Sequence, residues 1–269
     1  MQKENIKKVS RTMTCGDIHG SYKGLKQALE RSNFDYENDI LIQLGDVADG
    51  WPEVPECVEE LLKIDNLVSI RGNHDEWTRE WFMRGAAPNH WTQQGGQATI
   101  DAYIRTGLLM DDRHRDFFKN QVNFCVDNDN RVFVHGGFRS RKGIGHEEYQ
   151  ADYFWDRDLW NLAMLSDKHY ITGTLEDNGL HGTRFMRHKE IYIGHTSTGF
   201  WKAKGHFREA SDPNQVLNGH ITVPMNRCNV WNMDTGGGFE GKVTIMDIDT
   251  KEYWQSDLCK DLYPNHKGR

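Results

Sequence analysis

The chain has 269 residues, 37% of them apolar and with nine Trp, nine Tyr and twelve Phe among them, enough to build a sizeable core. Its formal charge of −7 at pH 7 argues against bulk binding to nucleic acid or to an anionic membrane. The polar opening Met1-Gln2-Lys3-Glu4-Asn5, the absence of an apolar run long enough for a membrane span, and cysteines without paired metal-type spacing predict a soluble cytoplasmic protein with free thiols.

The elements begin with a short apolar run, Met13 to Cys15, that predicts a strand, and the stripe Leu25, Ala28, Leu29 predicts the helix after it. Ile40 to Leu44 is a second strand. Val54, Val58, Leu61 and Leu62, with Pro52 and Pro55 near the start, give a second helix. A third strand, Leu67 to Ile70, completes an alternating order that predicts a parallel sheet with right-handed crossovers. A helix follows Asp75, with Trp77, Trp81 and Phe82 on one face, and another covers Gln97 to Arg105. The pattern then changes to strands joined by tight turns. Val122 to Val126 and Arg131 to His135 flank Asp127-Asn128-Asp129-Asn130, and Lys242 to Ile248 and Glu252 to Gln255 flank Asp249-Thr250-Lys251. Ile191 to Ile193 is a further strand.

A parallel first half followed by an antiparallel second half predicts an α/β fold of two sheets packed face to face with helices outside. One domain over residues 1–259 accounts for it, with residues 260–269 as a polar tail. Residues 160–188 and 197–229 lack clean periodicity and read as lid-like segments that select the substrate.

Five stretches place Asp, Asn or His beside glycine just past a predicted strand: Gly16-Asp17-Ile18-His19-Gly20, Gly45-Asp46-Val47-Ala48-Asp49, Gly72-Asn73-His74-Asp75, Val134-His135-Gly136-Gly137 and Gly194-His195-Thr196. Open α/β sheets gather ligands at the carboxyl ends of their strands. Hydrolysis of a phosphate ester at neutral pH calls for a strengthened nucleophile and for positive charge facing the phosphoryl oxygens, and a pair of divalent cations supplies both. Mixed imidazole and carboxylate donors suit manganese, iron, zinc or nickel. Gly236 to Gly241 matches G-x-G-x-x-G but lies between two predicted strands with no helix after it, so it fails as a dinucleotide fingerprint. The acidic run Asp127 to Asn130 lacks the glycine and glutamate of a calcium loop and reads as a hairpin turn.

At these residues, and at Asn89-His90-Trp91, Gly95-Gly96, Phe154-Trp155-Asp156-Arg157 and Met233-Asp234-Thr235-Gly236, the chain resembles the calcineurin-like metallophosphoesterases, in particular the bacterial and phage members of the phosphoprotein phosphatase family. The resemblance implies a four-layer α/β/β/α sandwich of two mixed sheets. It implies two divalent metal ions, manganese first among them, with Asp17 and His19 on the first, Asp46 bridging, and Asn73, His135 and His195 on the second. His74 would be the general acid and Asp49 its orienting carboxylate, while Arg157, Asn73 and Arg139 are the candidate substrate-binding residues.

The implied activity is a dinuclear-metal phosphomonoesterase of the serine/threonine protein phosphatase type, with a metal-bridging hydroxide attacking in line on a phosphoprotein or small phosphate ester. Two departures qualify it. Gly50 stands where the family has an arginine after Asp49, and Asp75 stands where it has glutamate. The alternatives are a dinucleoside-polyphosphate hydrolase or an enzyme acting on polynucleotide ends, for which Arg184 to Lys189 and Lys202 to Arg208 are candidate basic surfaces, and a non-catalytic scaffold on the same fold.

Overall fold

Two five-stranded mixed sheets form the centre of the computed structural model, which describes residues 10–171, 183–202 and 212–269. In the first, β1 (Thr12–Cys15), β2 (Ile40–Gln43) and β3 (Asn66–Ser69) run parallel, joined by crossovers through α1 (Tyr22–Arg31) and α2 (Val54–Leu61). The second contains β4 (Phe124–Val126), β5 (Arg131–Val134), β6 (Glu190–Ile193), β9 (Met225–Arg227) and β10 (Val230–Asn232). A small ribbon pairs β7 (Val216–Leu217) with β8 (His220–Ile221). The hairpin of β11 (Thr244–Asp247) and β12 (Tyr253–Gln255) extends the first sheet, with β11 antiparallel to β1.

Alternation along each strand sorts its residues between two faces. Met13, Leu41 and Leu67 face outward against Leu25, Ala28, Val54 and Val58 of α1 and α2. Ile42, Leu44, Phe133, Tyr192, Met246 and Ile248 fill the space between the sheets, where the Phe133 and Tyr192 rings stack with centroids 4.9 Å apart. Val132, Val134, Ile191 and Ile193 face the other way, against Leu159, Trp160 and Ala163. Two mixed sheets with helices on both outer faces make this the expected sandwich.

The antiparallel reading of the second half holds for its two hairpins but not for its centre. β5 pairs with β6 and β6 with β10 in parallel, because long crossovers rather than tight turns connect them. Part of the first expected lid is such a crossover: residues Asp158–Ile171 are helical. Its apolar side chains wrap around the helix instead of forming one stripe, with Leu159 and Trp160 buried and Leu165 79% exposed, so no period marks it. Residues 172–182 and 203–211 of the two expected lids lie outside the described residues. The helix expected after Asp75 begins at Asn73 and forms α3 (Asn73–Arg84). Its Trp81 and Phe82 pack on the core, whereas the Trp77 ring turns toward His74, 5.1 Å away.

Residues from Lys260 onward fold back on the body instead of trailing from it. Cys259 and Tyr263 are buried, and the Tyr263 ring stacks on Trp51 at 5.1 Å. Charged neighbours hide this one anchoring aromatic in the sequence pattern. No helix among the described residues is long and apolar enough to cross a membrane.

Asp39 ties the entry of β1 to that of β2. Its buried carboxylate accepts from the Arg11 amide at 3.0 Å, the Arg11 guanidinium and the Asp35 amide at 3.1 Å. Burial alone would raise its pKa, but the Arg11 donors hold it below the usual carboxylate value. Its contribution is therefore complete above the unfolded carboxylate pKa and lost as pH falls through the lowered folded value. Asp39→Asn is expected to cost about 2–3 kcal/mol in urea denaturation at pH 7, and visibly less at pH 3. An equal loss at both pH values would show that packing, not charge, is responsible.

Candidate metal centre

The carboxyl ends of β1, β2 and β3 in one sheet meet those of β5, β6 and β10 in the other, and the five glycine-flanked stretches lie at or just past these ends, the third of them forming the first turn of α3. The loops are stitched together: the Ile18 and His19 amides both donate to Asp46 O, at 3.0 and 2.9 Å, and the Gly194 amide donates to His135 O at 2.9 Å. His19, Asp46, Asp49 and His195 all take positive φ, between 51° and 72°. Such a conformation is uncommon for a residue with a Cβ, though Asp and His tolerate it better than most, and it clusters at functional sites.

The backbones approach so closely that side chains are excluded at key positions. A Cβ on Gly72 would lie 2.1 Å from Asp46 Oδ1, and one on Gly238 would lie 2.3 Å from the His19 ring. The stretch rejected as a dinucleotide fingerprint therefore presses its backbone against a candidate ligand.

Six side chains converge in the cleft. Ligand atoms of Asp17, His19 and Asp46 lie within 4.8 Å of one another, and so do those of Asp46, His135 and His195. Asp46 belongs to both groups. Asn73 Oδ1 lies 3.2 Å from His135 Nε2. Two of the imidazoles are oriented through their far nitrogen, His19 Nδ1 donating to Ala48 O at 2.9 Å and His135 Nδ1 to Leu44 O at 2.8 Å. That leaves Nε2 of each turned into the cleft, the usual way a protein sets a histidine ligand.

A test for fit comes from the polar atoms themselves. Asp46 Oδ2 and both ring nitrogens of His195 are buried without a hydrogen-bond partner. Buried polar atoms without partners are costly, and cations in the two groups would satisfy Asp46 Oδ2 and one of the His195 nitrogens. Charge says the same. Burial would raise Asp46, but His135 and His74 beside it hold it well below its usual value. Burial would lower His135, yet Asp46 and Asp17 lift it to about 9. Asp17 is raised by burial and by the nearby Asp234, a buried carboxylate just past β10. Two carboxylates with nitrogen and oxygen donors fit borderline divalent ions.

His74 stands beside this set without joining either group. Its amide donates to Asp46 Oδ1 at 2.9 Å, and its Nδ1 lies 2.6 Å from Asp49 Oδ2. Asp49 also accepts from Trp91 Nε1 at 2.7 Å and from Thr99 Oγ1 at 2.6 Å. Burial pushes Asp49 upward, but three converging donors are the surroundings of an ionised carboxylate. Burial pushes His74 down to about 3, against the pull of Asp46. Its Nε2 is left facing the cleft.

Residues 10–224 match the calcineurin-like phosphoesterase family. The chain belongs to it. Among relatives of this phosphoesterase, a symmetrical bis(5'-nucleosyl)-tetraphosphatase of Coxiella burnetii is 31% identical over 300 residues, spanning 96% of each chain. Serine/threonine-protein phosphatase 2 of Salmonella typhimurium is 27% identical over 170 residues, 61% of this chain and 70% of that one. A solved metallophosphoesterase from Sphaerobacter thermophilus shares the fold, with a TM-score of 0.51 over 92% of this chain and 89% of that one at 16% identity. The family establishes a metal-dependent hydrolase of phosphoric esters.

The expected arginines part company. Arg157 makes no ion pair with Asp156 or Asp158; it donates to His195 O at 3.1 Å and to Thr196 Oγ1 at 3.0 Å, at the lip of the cleft. Arg139 turns away to Asp156 at 3.0 Å and is more than half exposed, so it does not fill the place of the arginine missing at position 50. The basic stretch Arg184 to Lys189 is also engaged within the protein: Arg184 donates to Phe138 O at 2.8 Å, and Lys189 pairs with Asp129 at 2.9 Å. Most of Lys202 to Arg208 lies outside the described residues.

Three further residues hold the site in place without being candidate ligands. Thr99 carries no signal in the sequence, and Trp91 stands in the Asn89-His90-Trp91 stretch of the resemblance with no role given to it. Asp75 braces two ligand loops by accepting from the Val47, Ala48 and Gly72 amides at 2.9, 3.0 and 3.1 Å. In the sequence Asp75 ends the third glycine-flanked stretch and is marked only as standing where the family has glutamate.

Proposed function

We propose that this phosphoesterase hydrolyses a dinucleoside polyphosphate at a two-metal centre held by Asp17, His19, Asp46, Asn73, His135 and His195. Bound there, divalent cations supply an activated water and neutralise charge on the phosphoryl oxygens. Arg157 contributes a fixed guanidinium at the lip of the cleft and binds two oxygens of the reacting phosphate. Water adds to phosphorus and the P–O bond to the leaving group breaks, its electron pair going to the leaving oxygen. In its protonated form His74 delivers the Nε2 proton to that oxygen while Asp49 steadies the charged ring, and the proton lost by the water returns the resulting neutral imidazole to the protonated form.

The choice of substrate rests on the end-to-end correspondence with a tetraphosphatase, 96% of each chain, against 61% of this chain for the protein phosphatase. An aromatic rim supports it. The rings of Trp77 and Trp155 lie 5.2 Å apart beside His74 and His195, and Trp155 is 42% exposed, offering a face on which a base can stack. Serine/threonine phosphatase activity is the second reading, carried by the matched stretch of the Salmonella enzyme.

The test is a substrate panel after metal removal. Chelation is expected to abolish activity, and manganese, iron, zinc or nickel restored singly will rank the metals. With the best of them, kcat/KM for diadenosine tetraphosphate is expected to exceed that for a phosphoserine peptide at least about tenfold, a difference of roughly 1.4 kcal/mol. The reverse ranking would favour the second reading. A metal-loaded protein inert to both would favour the scaffold.

A further inference from the structure

Residues 266–269 run into the metal centre. The Arg269 amide donates to Gly238 O at 2.7 Å, which fixes the backbone beside the glycine that floors His19. Its guanidinium lies 4.9 Å over the Phe239 ring. Nη1 is 2.6 Å from His74 Nε2, 3.5 Å from His19 Nε2 and 3.8 Å from Asp46 Oδ2. Arginine only donates, so Nε2 accepts this bond and the ring proton sits on Nδ1, facing Asp49. A Cβ on Gly50 would come within 3.4 Å of the Arg269 amide, so the last residue of the sequence occupies the space beside position 50.

This places the two guanidinium groups differently. Arg157 is anchored on His195 and Thr196, whereas Arg269 sits at the nitrogen that faces the bond to be broken, on the leaving-group side. An alcohol leaving group carries no charge for it to bind, and once cations draw on Asp46, the carboxylate 3.8 Å from Nη1, the guanidinium calls for a further anion beside it. A leaving group with phosphates of its own supplies that anion. A groove of about 320 Å³ continues from Arg269, lined by Trp51, Phe239, Lys260, His266 and Lys267, with Lys260 drawn toward Glu240 at 3.4 Å. Cationic groups next to aromatic faces suit a nucleoside phosphate.

We propose that Arg269 is a specificity-determining residue that binds the phosphate of a polyphosphate leaving group and, in doing so, frees His74 Nε2 for proton transfer. The inference rests on the polyphosphate reading above. It is tested with Arg269→Ala and Arg269→Lys, metal-loaded and matched to the parent in metal content and melting temperature. Two quantities are read: the ratio of kcat/KM for diadenosine tetraphosphate to that for p-nitrophenyl phosphate, and the Kd for ADP measured by calorimetry.

Arg269→Ala is expected to lower the ratio about 10- to 100-fold and to weaken ADP binding by a similar factor, with Arg269→Lys between it and the parent. A ratio and an ADP Kd both within about twofold of the parent would overturn the proposal. So would faster turnover of both substrates, which would make Arg269 an occupant that blocks the site. Should the parent fail to cleave diadenosine tetraphosphate, the substrate reading falls, and ADP binding alone judges Arg269: weaker binding in the variant upholds it and unchanged binding rejects it.

Discussion

Replacing His74 by asparagine is expected to lower kcat about 10²- to 10⁴-fold while the metal content per chain stays at the parent value. Asparagine can still hydrogen-bond to Asp49 from this position, but it has no proton to give near neutral pH. His74 touches the centre only through its amide on Asp46 and its ring beside the ligands, so its loss removes no metal donor. Leaving-group dependence sharpens the test. A good leaving group such as p-nitrophenolate departs without much help, whereas an alkyl alkoxide needs the proton. The variant is therefore expected to lose far more on an alkyl phosphate than on p-nitrophenyl phosphate, in steady-state assays paired with elemental analysis. Equal losses on the two would remove the general-acid role, and a fall in metal content would turn His74 into a ligand.

That prediction was accessible from the sequence because the chemistry leaves a local imprint. A ligand loop needs an Asp, Asn or His beside a glycine, and the positive φ of His19, Asp46, Asp49 and His195 shows the backbone reason for that pairing. Buried strands before each loop are marked by apolar runs. The orienting layer leaves no such imprint. Thr99 and Trp91 reach Asp49 across 50 and 42 residues of sequence, and Arg269 reaches His74 across 195, distances over which spacing says nothing. Strand partnership is equally non-local: β5 and β6 read as strands and β10 does not, and the parallel pairing of all three depends on crossovers whose helix, buried on more than one side, has no clean period. Arg139 illustrates the opposite error, where proximity in sequence to His135 suggested a shared site and three nearby carboxylates, Asp152, Asp156 and Asp158, captured the side chain instead.

Asp46→Asn is expected to have the largest effect of any single change, reducing bound metal from two ions per chain to one or none and activity by more than about 10³-fold. Asn retains the carbonyl that accepts the His74 amide, so the loop keeps its shape; what disappears is the only carboxylate common to both ligand groups among the described residues. The comparison that isolates bridging is with Asp17→Asn, since Asp17 belongs to one group alone. If Asp46 spans the two positions, its variant loses both ions under dialysis conditions in which the Asp17 variant keeps one, as elemental analysis would read. Circular dichroism and thermal melting of the metal-free proteins guard against unfolding as the cause. Two ions retained by the Asp46 variant, or equal depletion of the two variants, would mean that the shared carboxylate does not bridge and that the ligand groups hold their ions independently.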